Sequence, residues 1–99
     1  MSAQLTSTAR VALSPASRYL QQLAQHFAHK VDVEQTKATA KVTLSYGYFE
    51  LSTEGEDTLI MRTFADTDEH LKRLEHVAAS HLERFAFRDP PEITWSEAE

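Results

Sequence analysis

Ninety-nine residues, 41% of them hydrophobic and 25% charged, suffice for one cored domain and are too few for two, so residues 1–99 are read as a single domain. A net charge of −5 argues against nucleic acid and against an anionic membrane as partners, because both require clustered Lys and Arg. Without cysteine, disulfides, thiolate ligands and a Cys nucleophile are all excluded. No apolar run approaches the roughly 20 residues of a membrane span. The polar stretch from Met1 to Val11 lacks the apolar core of a signal peptide, which makes the cytoplasm the expected location.

Leu5, Ser7, Ala9, Val11 and Leu13 alternate with Thr6, Thr8 and Arg10, the period-2 pattern of a half-buried strand. Ser14-Pro15 follows as a helix start, Ser as N-cap and Pro at the first helical position. Ala16, Leu20, Leu23, Ala24, Phe27 and Val31 then share one stripe, so a helix is expected from Pro15 to His29, with Lys30 complementing its dipole. Val31 to Glu34 reads as a short extended segment and Gln35-Thr36-Lys37 as a turn. Val42, Leu44 and Tyr46 alternate, Gly47 interrupts as a hairpin turn would, and Phe49 and Leu51 resume. After a second turn at Glu54-Gly55-Glu56-Asp57, Thr58 to Phe64 reads as a strand buried more on both faces. The middle of the chain is therefore expected to be a three-stranded meander.

Asp66-Thr67-Asp68-Glu69 opens a second helix with carboxylates in its first turn. Leu71, Leu74, Ala78, Leu82 and Phe85 form its core stripe, Val77 widens it, and Asp89-Pro90-Pro91 is expected to end it. Ile93 and Trp95 mark a last strand, and Ser96 to Glu99 an acidic tail. Strand, capped helix and strand recur at both ends of the chain. The fold class is α+β, two helices on one face of a mainly antiparallel sheet. A β-α-β-β duplication is one way to build it, in a ferredoxin-like or TBP-like two-layer sandwich.

Three strings carry more than periodicity: Arg18 to Val31 around His26-Phe27-Ala28-His29-Lys30, Tyr46-Gly47 leading into Phe49-Glu50-Leu51, and His81-Leu82-Glu83-Arg84-Phe85-Ala86-Phe87-Arg88. With Trp95, they make the chain resemble the bacterial domain of unknown function family 2218 over nearly its whole length. That resemblance implies stand-alone small proteins and, in some bacteria, fusion to siderophore-interacting flavoprotein domains, hence a tie to iron acquisition. The family itself has no established activity. Ala24 stands where many relatives carry Cys, so thiol chemistry elsewhere in the family is missing from this member.

Among the five histidines, His26 and His29 are spaced i, i+3 and lie off the apolar stripe. Two such ligands do not complete a metal site, and a solvated helix face near a C-terminus is the plainer account. No metal and no cofactor is expected. His81 projects within about 40° of the centre of the second stripe, so it is expected to be partly buried and hydrogen-bonded to a backbone carbonyl or a Tyr hydroxyl. His70 and His76 look exposed. Arg84 and Arg88, four apart, could grip a carboxylate, although dipole complementarity alone would place them there. Phe27, Phe49, Phe64, Phe85 and Trp95 sit at core spacing, Tyr46 and Tyr48 flank the hairpin, and Glu54, Glu56 and Asp57 read as a solvated turn.

The candidate ligand-binding residues are thus His26, His29, Lys30, His81, Arg84 and Arg88, with no catalytic residue assigned. The reading leans against an enzyme and toward a binding or accessory module for iron–siderophore handling, with a siderophore-interacting flavoprotein or a small anionic ligand as partner. The alternatives are a small lyase-like enzyme using His acid–base chemistry and a homodimeric scaffold.

Overall fold

In the computed structural model, which describes residues 4–97, strand β1 (Leu5–Ala12) leads into helix α1 (Ala16–Ala28), followed by β2 (Asp32–Gln35), β3 (Thr39–Leu44), β4 (Gly47–Thr53), β5 (Thr58–Ala65), helix α2 (Asp68–Phe85) and the two-residue β6 (Ser96–Glu97). Met1 to Ala3 lie outside the described residues, as do Ala98 and Glu99, the last two of the expected acidic tail. The six strands form one sheet in the order β2-β3-β4-β5-β1-β6, antiparallel throughout. The expected α+β class is present, with both helices on one face. The meander has four strands rather than three, because the short segment after α1 pairs with β3 from Asp32↔Thr43 to Gln35↔Ala40. Two consecutive strands are therefore added to the β-α-β-β-α-β plan, and the echo of strand, helix and strand does not become a repeated unit.

Alternation sorts the strand residues onto two faces. Toward the helices point Ala9 and Val11, Ala40 and Val42, Phe49 and Leu51, and Leu59 and Met61, all buried with Leu20, Leu23, Leu71, Leu74 and Leu82. Ser7 and Thr63, paired in register across β1 and β5, are the polar members of this layer, and their hydroxyls hydrogen-bond each other. No helix among the described residues covers the other face. Strand β5 consequently alternates instead of burying both sides, and Phe64, expected in the core, lies half-buried on the open face, stacked on Tyr48 at 4.6 Å. Ile60 shares that face.

The helix starts differ from one another. Thr67 caps α2, its hydroxyl accepting from the His70 N–H at 3.1 Å. The α1 cap position is Pro15, one residue later than expected, and no side chain of α1 caps it. The β4–β5 turn does so instead: the Ala16 N–H donates to the Glu56 carbonyl at 2.8 Å, and the Ser17 hydroxyl to the Glu56 carboxylate at 2.9 Å. Glu56 is thereby a structural anion at the positive end of a helix, more than part of a solvated turn. Gly47 begins β4, just after the tight Ser45-Tyr46 turn, with φ +151; a Cβ there would lie 2.5 Å from the Phe64 carbonyl and 2.7 Å from Leu74. Helix α2 ends at Phe85, before Asp89-Pro90-Pro91, as the Ala86 N–H closes on the Leu82 carbonyl and the chain turns. The last strand is shifted to Ser96–Glu97, pairing with Ser7 and Thr8 of β1. Ile93 and Trp95 precede it and pack against the core.

Candidate functional site

Helices α1 and α2 touch where their C-terminal halves meet, bringing the two most distinctive strings of the sequence together. On α1 the apolar stripe ends at Phe27, whose ring packs edge-on against Phe49 of β4 at 5.3 Å and lies 4.7 Å from the His81 ring. His26, one residue earlier, is turned toward α2 rather than into solvent. Its ring is 5.1 Å from His81 and 5.7 Å from Phe85, the latter edge-to-face. The expectation of a solvated His26/His29 face is corrected here, because a wheel drawn for α1 alone does not contain the neighbour that covers it. His29 remains exposed.

The two imidazoles differ in their bonding. His81 Nδ1 is 2.7 Å from the Val77 carbonyl, so that nitrogen carries the proton and donates to the preceding turn. Neutral His81 then keeps Nε2 as a free acceptor. This is the partly buried, carbonyl-bonded histidine expected from the stripe. His26 Nε2, by contrast, is buried and has no hydrogen-bond partner among the described residues. Burial holds the His26 pKa below its ordinary value of 6.5, and the charges of His81, Lys30, Arg84 and His29 depress it further.

Those charges define the electrostatics of the corner. Four of the other candidate residues, His29, Lys30, His81 and Arg84, lie close enough to act on His26, in a protein whose net charge is −5. Two helix C-termini contribute partial negative charge nearby, which accounts for part of the gathering. The full charges of Lys30 and Arg84 exceed it. Arg88 does not belong to this group. It lies beyond α2, with its guanidinium 5.8 Å from the ring of Phe87, which is 69% exposed.

Chemically, the corner can attract an anion to the exposed cations Lys30 and Arg84 beside two packed imidazoles. Among the described residues, no three His, Asp or Glu side chains gather to hold a metal ion.

Two further groups escape a reading of the sequence. Glu75 is 8% exposed on the inner face of α2, and its Oε2 has no hydrogen-bond partner among the described residues. Its signal was present, since it follows Leu71 by four and precedes Ala78 and Leu82 on the stripe. His70, expected to be exposed, is half-buried, with Nδ1 3.1 Å from Asp66 and its ring 5.7 Å from Tyr46. The hydrogen bond from His70 holds the Asp66 carboxyl below the usual range.

With this geometry in place, comparison with known proteins is informative at the level of family and fold. A family model described as "Uncharacterized protein conserved in bacteria", domain of unknown function 2218, matches residues 8–96, and the chain belongs to that family. The NMR structure of PA4090 from Pseudomonas aeruginosa is similar at 29% identity with a TM-score of 0.81, covering 93% of this chain and 95% of that one. No curated protein matches the chain. No helix among the described residues is long and apolar enough to cross a membrane.

Proposed function

We propose that this member of the family is a binding module without catalytic activity, which holds a small anionic ligand at the corner between α1 and α2. The observation that carries the reading is the convergence of His26, His81, Lys30 and Arg84, two of them packed ring to ring and two exposed cations. The resemblance drawn from the His-Phe-Ala-His-Lys and His-Leu-Glu-Arg-Phe-Ala-Phe-Arg strings ties the ligand to iron–siderophore handling, in which a carboxylate-bearing siderophore is an anion of the right chemistry. Phe87, exposed two residues past Phe85, would serve as an aromatic anchor for a siderophore-interacting flavoprotein.

Calorimetric titration with ferric citrate, free citrate and a ferric catecholate tests this. Binding is expected for at least one, with Arg84→Gln weakening it roughly tenfold or more, as loss of a charge-assisted hydrogen bond does. No heat and no thermal shift with any of the three would sink the proposal.

A second reading rests on the depressed pKa of His26, which leaves a neutral imidazole at pH 7 able to accept a proton. A lyase-like reaction would use it as base. Any turnover that survives both His26→Gln and His81→Gln unchanged disposes of that reading.

A further inference from the structure

The face of the sheet turned away from the helices carries a row of charges in strict register. Glu34 on β2 pairs with Lys41 on β3, Lys41 with Glu50 on β4, and Glu50 with Arg62 on β5. The sign alternates at every strand. All four side chains line one cleft of about 380 Å³, within the range of small-molecule sites.

Opposite charges on neighbouring strands ordinarily close on each other. At the edge of this face such a pair does close, for Arg10 of β1 is ion-paired with Glu54 of the β4–β5 turn. Among the described residues none of the four cleft charges is in an ion pair. Lys41 instead places its ammonium 4.5 Å over the ring of Tyr48, in the next row of the face. The cleft therefore presents two acids and two bases, alternating and not ion-paired with one another, set about one strand spacing apart (~4.8 Å).

We propose that this cleft binds a small zwitterion whose ammonium and carboxylate are separated by about that spacing. Arg62 takes the carboxylate in its two-pronged grip, and Glu50 takes the ammonium. The alternation is what selects a dipolar ligand. A simple anion at Arg62 meets the carboxylate of Glu50, and a simple cation at Glu50 meets Arg62 on one side and Lys41 on the other. Each singly charged ligand is thus repelled by the group beside its partner. The site lies on the opposite side of the sheet from the helix corner and does not depend on what binds there.

The test is an amide-shift titration of the full, isotope-labelled chain with 4-aminobutyrate and β-alanine, with butyrate and butylamine as the one-charge controls. At least one zwitterion is expected to give saturable shifts centred on Lys41, Glu50 and Arg62. Both controls should bind weaker by at least roughly tenfold, and so should the zwitterion to Arg62→Gln and to Glu50→Gln. The unfolding midpoints of those two variants should stay at the wild-type value, separating loss of a contact from loss of fold. Absence of saturable shifts up to ~20 mM, controls that bind as well as the zwitterions, or shifts centred on His26 and Arg84 would each overturn the proposal.

Discussion

The two faces of the sheet share the same strands and the same hydrogen bonds, yet one is dry and the other is not. Leu59 and Met61 are wholly buried, whereas Ile60, between them and equally apolar, is half-exposed. Hydrophobicity does not make that difference; the cover supplied by α1 and α2 does. Polar groups follow the same division. On the covered face hydroxyls must find each other, as Ser7 and Thr63 do, while on the open face Glu34, Lys41, Glu50 and Arg62 line a cleft without closing into pairs. Structural demands dominate one side of β1 to β5, which leaves the other side free to recognise something.

The sharpest way to break that contrast is to cut the covered face. Phe49→Ala, in contact with Phe27 under α1, should cost about 3–5 kcal/mol in urea unfolding. Gly47→Ala comes next, at about 2–3 kcal/mol, because the new methyl group would press on Leu74 and the Phe64 carbonyl from a left-handed backbone; circular dichroism should show a lower melting point with unchanged secondary structure. On the open face Phe64→Ala should cost only about 1–2 kcal/mol, since the ring rests against Tyr48 alone among aromatic partners. A loss as large as that of Phe49→Ala would mean that something covers this face.

Smaller again is the effect of pH through His26. Its pKa is lowered on folding, so the unfolded chain binds the proton first as pH falls. Stability is then fully present above the unfolded value of 6.5 and declines below it. His26→Gln should flatten the stability curve between pH 7.5 and the onset of carboxylate titration, measured by urea midpoints across that range. Least of all, Glu50→Gln should change stability by no more than about 0.5 kcal/mol in the same assay.

Much of this architecture was legible because it repeats. Ser7, Ala9 and Val11 of the β1 alternation and most of the stripes of α1 and α2 return as buried residues, although Leu5 is exposed, and the angle of His81 on its stripe places it. What was not legible depends on partners distant in sequence. The run Leu59-Ile60-Met61 gives no sign of which side will be covered, so core spacing alone puts Phe64 inward. His26 is covered by a helix more than forty positions on, invisible to a wheel of α1. Pro90 marks where a helix cannot continue, but it does not require the helix to reach that far, and α2 stops at Phe85. Two residues at Ser96–Glu97 are too short for any period to announce. Of the candidate residues, His29, Lys30, His81 and Arg84 gather around His26, and Arg88 falls away because the turn after α2 carries it off the helix.

The pairing of β1 with β5 joins positions 56 apart at Ser7 and Thr63, and it sets the order in which the molecule can assemble. Strand β1 is made long before its partner, for α1 and β2 to β5 must be synthesised before it can dock. The meander from β2 to β5 is local in sequence and can form ahead of it. During that interval Ala9 and Val11 are unprotected, and a strand that pairs late is the one most open to pairing with a neighbouring chain. Ser7 in its inner row, and Thr6, Thr8 and Arg10 in its outer one, keep the waiting strand polar enough to remain dissolved until β5 arrives.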